Sequence, residues 1–565
     1  MLSATRSRLP LCRRAAFSIQ YQARFPRRYE SSKSGPKLPA AYDKDLADDH
    51  DGPLYTNFAD NAVFTFGVLR RFVKFTLIGF ASVGVLTWTA FEGAHQYVEA
   101  VCLANESDPD VNKWGWDRDG GDTWRWSGGD AGGTDPRLGF KGRHAVRSAW
   151  MAQHWGIGSA GSVIGSKAFS AHPGGGRLSI VEARLEVAQE FLSLALTIAR
   201  ERAGRVHPDT LPTLLARHAG ILERMGTRDA LFEARAEFEQ VWDALGGSGA
   251  DADAARLALK LGDLNKRLGD TDDALDWWAR AIQLAAPSPS PPELPLTPTV
   301  PASLPPSPLA QRTLAQTLVS LSAFYATSGR LADALSLESA SLSLLSPFLS
   351  PAPPSDPAPQ ALHTLYLQHR TALLAIHRAE VAYALRAAPP AASLAADLQR
   401  AAQLAERVAL ALTGAPAVHP DAPLSAIPHP PVAEGERALV GAYARSQSMS
   451  RPARALLRDA RRAAAEAWNL AGVLYEGQGA GKEGGKKGWL GGGREREESA
   501  RDVERALECY ERALGWAGVH ADRVGNVAEP AEAMLEAEWR VLWGNYVRAR
   551  EVVRNAKAQE KEKAK

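Results

Sequence analysis

Three histidines, a glycine run and a lysine-glycine loop are the residues that first invite a chemical reading. His144, His154 and His172 stand ten and eighteen residues apart, whereas two metal ligands on one helical face need a spacing of about four. They are expected to be ordinary surface or core histidines. Gly156, Gly158 and Gly161 spell G-x-G-x-x-G, but a dinucleotide loop needs an apolar strand before it to aim the phosphates at a helix N-terminus. The HAVRSAWMAQHW that precedes it reads as helix instead. In GAGKEGGKKG (479–488), Lys487 follows Gly485 and Lys486 where a phosphate loop needs a Mg²⁺-binding Ser or Thr, and Ala480 replaces the first glycine. It is expected to be a flexible inserted loop. The chain has no H-E-x-x-H and no G-x-S-x-G. Its three cysteines, Cys12, Cys102 and Cys509, are at least 90 residues apart, too far for a paired-Cys zinc knuckle. These residues therefore predict no catalytic group, no cofactor site and no metal site, and the search moves to the elements and what they could bind.

The 565 residues allow several domains. With 66 Lys plus Arg against 64 Asp plus Glu, the formal charge is +2, which gives no case for a nucleic-acid partner. A charged fraction of 23% and a mean hydropathy of -0.23 exclude both a polytopic membrane protein and a wholly disordered chain.

Residues 1–29 hold seven arginines and no acid, mixed with Ser3, Ser7 and Ser18 and the apolar Leu2, Leu9, Leu11, Phe17 and Ile19. This is the composition of a mitochondrial presequence, and Arg27, Arg28 and Tyr29 resemble its Arg-x-Tyr processing site. From Phe75 to Phe91 run 17 residues without a charge, at the lower end of the ~17–25 that span hydrocarbon. Arg70, Arg71 and Lys74 precede the run, and Glu92, Glu99, Glu106, Asp108 and Asp110 follow it. The positive-inside asymmetry places a short segment 30–69 in the matrix, a membrane helix at 70–93, and the rest in the intermembrane space of mitochondria, anchored in the inner membrane by one span. Residues 94–175 form a neck rich in Trp and Gly, with six of the 15 tryptophans between Trp114 and Trp155. Aromatic anchoring against helices or a membrane surface is the expectation there.

From residue 176 to 526 the chain is Ala- and Leu-rich, with small residues recurring at fixed spacing. Trp468, Ala471, Gly472 and Tyr475 match the first helix of a tetratricopeptide (TPR) repeat, and Ala506, Tyr510 and Ala513 match its second, around a Gly- and Lys-rich insertion at 477–500. A second copy joins Leu261, Gly262 and Gly269 to Ala274, Trp278, Ala281 and Pro287. A third joins Leu321, Ser322, Tyr325 and Gly329 to Ala334, Ser341 and Pro347. A degenerate copy runs from Leu215, Ala219, Leu222 and Gly226 to Ala234, Phe238 and Val241, with a weaker one at 361–412. Glycine or alanine lets antiparallel helices approach, and a large aromatic fills the hole opposite. Proline-rich stretches at 287–308, 347–359 and 414–431 fall between helices. Residues 527–565 are expected to form a capping helix, with Leu535, Trp539, Leu542 and Trp543 near one face, and a charged, fraying tail. The fold class is thus all-α, a TPR-type helical-hairpin solenoid. Its groove-facing candidates are Arg256, Leu259, Asp263, Lys266 and Arg267 in the clearest repeat and Glu466, Asn469 and Glu476 in the last. Leu259 and Asp263 occupy positions where a carboxylate clamp of a chaperone-binding TPR domain would have Lys and Asn, which argues against a cochaperone or import receptor.

Presequence, single span and TPR body in this order resemble the fungal TPR-containing adaptor subunit of the mitochondrial inner-membrane i-AAA protease complex. The resemblance implies a non-catalytic subunit that binds unfolded or misassembled membrane proteins and passes them to the protease beside a second adaptor. The alternatives are a scaffold or assembly factor for a respiratory-chain complex and, third, a TPR import receptor.

Overall fold

The structure, a computed structural model, describes residues 54–118, 126–129, 132–156, 163–165, 180–245, 252–286, 298–350, 356–385, 391–414, 439–483, 492–517, 520–521, 528–529 and 536–563. The expected presequence, His172, Gly158, Gly161, Pro287, most of the Pro-rich stretches and residues 484–488 lie outside the described residues, whereas 479–483, expected in the inserted loop, continue a helix that ends at Glu483. The chain divides into two units, Met1–Gly84 and Val85–Lys565.

Helix α1 (Leu54–Tyr97) is 44 residues long, so it begins well before the expected 70 and outlasts 93. The reason is local: no proline interrupts it, and Thr65 and Thr89 return their hydroxyls to carbonyls one turn back. Its large apolar side chains from Val63 to Phe91 are all exposed. Between Val63 and Phe91 only Arg70, Arg71 and Lys74 carry charge, so this stretch presents a long apolar surface. The stretch Asn61–Cys102 is long and apolar enough to cross a membrane.

Within the second unit, a π-helical turn (Val98–Cys102) and α2 (Pro109–Lys113) lead to α3 (Gly139–Trp155), which packs on α4 (Ala183–Glu201). The packed body thus starts inside the span expected to be a neck, because Ala145, Val146, Ala149 and Ala152 give α3 an apolar stripe that meets Leu185, Ala188 and Leu192. Strands β1 (Val163–Gly165) and β2 (Ile180–Glu182) pair antiparallel between these two helices. Then come α5 (Thr210–Met225) with α6 (Arg228–Ala244), α7 (Ala252–Leu268) with α8 (Thr271–Ala285), α9 (Pro308–Thr327) with α10 (Leu331–Leu345), and α11 (Ala358–Ala384) with α12 (Ala391–Thr413). After the short α13 (Gly441–Ala444), α14 (Gln447–Glu483) pairs with α15 (Gly492–Ala517). A second strand pair, β3 (His520–Ala521) and β4 (Ala528–Glu529), precedes α16 (Glu536–Lys563), which lies mainly on α15. The end expected to fray is helical as far as Lys563. The architecture is all-α, built of helical hairpins packed in chain order.

The hairpin turns explain themselves. Gly269 (φ 98°) and Gly329 (φ 76°) adopt the left-handed conformation that ends a helix, and the next residue's N–H closes it, Asp270 on the Asn265 carbonyl and Arg330 on the Tyr325 carbonyl, each at 2.9 Å. Inside the hairpins a small residue faces a large one. A Cβ added to Gly262 would lie 2.5 Å from the indole of Trp278, and one added to Gly472 would lie 2.6 Å from the ring of Tyr510. Ala274, Ala281, Ala334, Ala506 and Ala513 are wholly buried, as are Leu261 and Leu321, and Trp468, Tyr325 and Tyr475 are buried too.

The Trp-rich segment is held by polar contacts as well as by area. Arg312 of α9 stacks 3.9 Å from the Trp116 ring centroid and donates to the carbonyls of Trp114 and Gly115 at 2.9 and 3.0 Å. Trp116 Nε1 donates to the Pro359 carbonyl at 2.8 Å. Arg312 also donates to His363 Nδ1, so the imidazole carries its hydrogen on Nε2, which donates to Gln311 Oε1 at 2.9 Å. Burial first, and the guanidinium second, push this histidine down to about 3 and keep it neutral.

Candidate binding face on the first helices of the hairpins

The groove candidates separate once their surroundings are known. Leu259 is corrected to a core residue: it is buried with Leu314 and Leu318 where α7 meets α9. Asp263 is half-buried and accepts from Trp278 Nε1 at 3.1 Å, and burial raises its carboxyl above the ordinary range. It thus holds the indole in place and is not a clamp residue. Arg256 lies 3.8 Å from Asp253, one turn back on its own helix. Arg267 turns to α5, where it donates to the Glu223 carbonyl at 3.3 Å and pairs with the Glu223 carboxylate at 3.7 Å. Asn469 and Glu476 are corrected from open face to intramolecular contact. Asn545 of α16 donates to Asn469 at 2.9 Å, and Arg548 of α16 donates to both oxygens of Glu476 at 2.7 and 2.8 Å. Those bonds, the first from Arg548, hold the Glu476 carboxyl below its usual range.

Lys266 and Glu466 each approach a residue of α11. Lys266 of α7 is close enough to His377 of α11 to add to the burial that lowers the affinity of this imidazole for a proton. Glu466 of α14 faces Glu380 of α11. Burial, and then this second carboxylate, push Glu380 up to about 7. Behind His377 the buried Ser322 of α9 donates to Glu338 Oε1 of α10 at 2.8 Å, and His377 Nδ1 lies 3.0 Å from the same hydroxyl. Glu338 is wholly buried and is pushed up to about 7 by that burial, against the opposing effects of Ser322 and Arg378. The face from α7 through α11 to α14 therefore carries one lysine, one histidine and two carboxylates, over a buried Ser–Glu pair. It suits ligands that bring charge of either sign.

Serine and glutamate here are legible in retrospect. Gly262 and Trp278 are sixteen residues apart, and so are Ser322 and Glu338. The close contact of a small residue with an aromatic has become a hydrogen bond at the same two positions. Because Ser322 is wholly buried and its proton goes to Glu338, the hydroxyl is not presented to a substrate as a nucleophile.

Compared with known proteins, this chain matches no family model and no curated sequence.

One other cluster among the described residues has metal-ligand chemistry, with His218, Glu233 and Glu237 placing ligand atoms within 4.8 Å of one another. His218 Nδ1 and the Glu237 carboxylate already satisfy each other at 2.7 Å where α5 packs on α6.

The raised acid at Glu338 has a sign that can be measured. Its folded-state pKa lies above its ordinary 4.5, so the native state holds a proton that the unfolded chain releases. The stabilising contribution is full below about 4.5 and is lost as pH rises through about 7. Glu338→Gln keeps an acceptor for Ser322 and cannot ionise. The urea midpoint of the native protein is expected to fall between pH 5.5 and pH 8 by more than that of the variant. Equal slopes would show that Glu338 does not bind its proton more tightly in the fold.

Proposed function

We propose that the chain is a membrane-anchored TPR-type adaptor. It binds unfolded or unassembled inner-membrane proteins through its first-helix face and delivers them to the i-AAA protease beside a second adaptor. One observation supports this reading most: the same small-on-large contact between paired helices recurs at Gly262–Trp278 and Gly472–Tyr510 and, in polar form, at Ser322–Glu338. Recurrence of one contact is the mark of a repeat, and repeats use the shared face of their first helices to bind peptides. The arginine-rich, acid-free residues 1–29 and the charge asymmetry around the apolar run support mitochondrial import and a body in the intermembrane space. Mixed charge over an apolar frame suits partners that share little sequence.

The test is affinity capture of the full chain from mitochondria in mild detergent, with Lys266→Glu and Glu380→Lys introduced together. Substrate capture is expected to fall roughly tenfold, as when complementary charges are inverted, with the protease retained. Loss of the protease with substrates retained would reassign the face to the partner subunit. A respiratory-chain assembly intermediate or an import channel in place of the protease would overturn the adaptor reading.

A further inference from the structure

A cavity of about 930 Å³ opens where the chain leaves the apolar helix, within the size range of small-molecule sites. One wall is the π-helical turn and the strand of chain after it, Ala100–Ser107. The other walls come from α2 and the residues just after it, Trp126, α5, the starts of α7 and α9, and the junction of α13 with α14. Cations come from α2 and the residues after it, from α5 and from the α13–α14 junction. Among the described residues, Lys113, Arg118, Arg217, Arg445 and Arg451 line the cavity with two carboxylates, Glu106 and Asp117.

Both acids are engaged. Glu106 accepts from the Ser446 hydroxyl and from the backbone N–H groups of Ser107 and Asp108, and Asp117 lies 3.8 Å from Arg118. Arg118 also reaches Asp253 at 3.4 Å. Arg217 is held flat, 3.3 Å from the Trp126 ring centroid, so its position is set before any ligand arrives. Lys113 and Arg445 are exposed and form no ion pair among the described residues. At the start of α9, Ser307, Pro308 and Leu309 line the cavity, and Ser307 gives no side-chain cap, so the positive end of this helix stands at the wall. The excess of positive charge is felt nearby: burial, and then Arg451, Arg217, Arg224 and Arg184, push His154 down to about 3.

We propose that this cavity is a binding site for a phosphate-bearing anion, held by Arg217, Arg445, Arg451 and Lys113. Guanidinium groups pair with phosphate oxygens through two parallel hydrogen bonds, and several of them around one concave site select multiply charged phosphates over single carboxylates. Two sources supply that chemistry, a phospholipid headgroup and a soluble phosphate. The wall at Ala100–Cys102 stands roughly 15 Å along the helix from Phe91, the last residue of the charge-free run. A lipid would have to be lifted partly out of its leaflet to reach it, so the geometry favours the soluble source. The site is separate from the first-helix face and stands or falls independently of the adaptor reading.

The test uses the full chain in nanodiscs of phosphatidylcholine alone or of phosphatidylcholine with phosphatidylglycerol. Inorganic pyrophosphate is titrated into the first set, and the lipid retained from the second is read by native mass spectrometry. Lys113→Glu with Arg445→Glu alters two exposed side chains, and unchanged circular dichroism verifies the fold. Pyrophosphate is expected to raise the melting temperature of the native chain and to bind the variant roughly tenfold or more weakly. Retention of phosphatidylglycerol by the native chain and not by the variant would assign the site to lipid. If the native chain neither responds to pyrophosphate nor retains more phosphatidylglycerol than the variant, the proposal is overturned. Should the double variant misfold, Arg445→Gln alone provides the same comparison.

Discussion

Gly262→Leu is expected to lower the stability of the second unit by on the order of 1–3 kcal/mol, the cost of overpacking a tight core, and to act through Trp278. Any Cβ at 262 would meet the indole at 2.5 Å from Cδ1 and 2.6 Å from Nε1, closer than carbon atoms can pack. The ring has no free direction in which to retreat. Trp278 is wholly buried between Gly262 and Phe324, with ring centroids 5.4 Å apart, and its Nε1 is tied to Asp263 at 3.1 Å. Moving it breaks the bond to Asp263 and opens space against α9. Gly262→Ala is the gentler probe: alanine gains about 1 kcal/mol of helix propensity, which offsets part of the clash, so its loss should be smaller than that of leucine. Urea denaturation of the full chain in detergent measures both. If Gly262→Leu leaves the midpoint unchanged, the helices are not in the register described.

Legibility in the sequence followed the range of each interaction. The pairs Gly262–Trp278 and Gly472–Tyr510 were readable because glycine and a large aromatic at repeat spacing have a single steric explanation. Even the insertion between the second pair leaves that signature intact. Spacing alone could not tell an outward position from one covered by the next element. Leu259 is covered by α9, and Asn469 and Glu476 by α16, whose Arg548 and Asn545 come from more than seventy residues away. Arg267 was misplaced for a related reason, since a long side chain near a helix end can turn to the preceding hairpin, where Glu223 attracts it. His377 and Glu380 carried no motif and are brought to the face by the packing of α11 between α9 and α14. The extent of α1 beyond the charge-free run was missed because charge sets what lipid tolerates, not where a helix ends.

Glu406→Ala is expected to cost the C-terminal hairpins about 3–5 kcal/mol, the magnitude found when one partner of a buried ion pair is removed. No spacing rule singles out Glu406, yet three helices meet on its carboxylate. Trp468 of α14 donates its Nε1 at 2.7 Å, Trp516 of α15 donates at 2.6 Å, and Arg512 of α15 donates to both oxygens. Arg512 also lies over the Trp468 ring, 4.5 Å from its centroid, and all four side chains are buried. Removing the acid leaves one cation and two indole N–H groups without an acceptor in a site that water does not reach, and each loss is a desolvation cost with no return. The same argument gives a second, opposite expectation. Glu406→Leu with Arg512→Met removes both charges and fills similar volume, so the pair of substitutions should recover most of the stability lost by Glu406→Ala, short of the two unpaired indoles. Denaturation midpoints of the native chain, the single and the double variant decide between them. A double variant as unstable as the single would mean that the four-group network, and not the uncompensated charge, carries the energy at this junction of α12, α14 and α15.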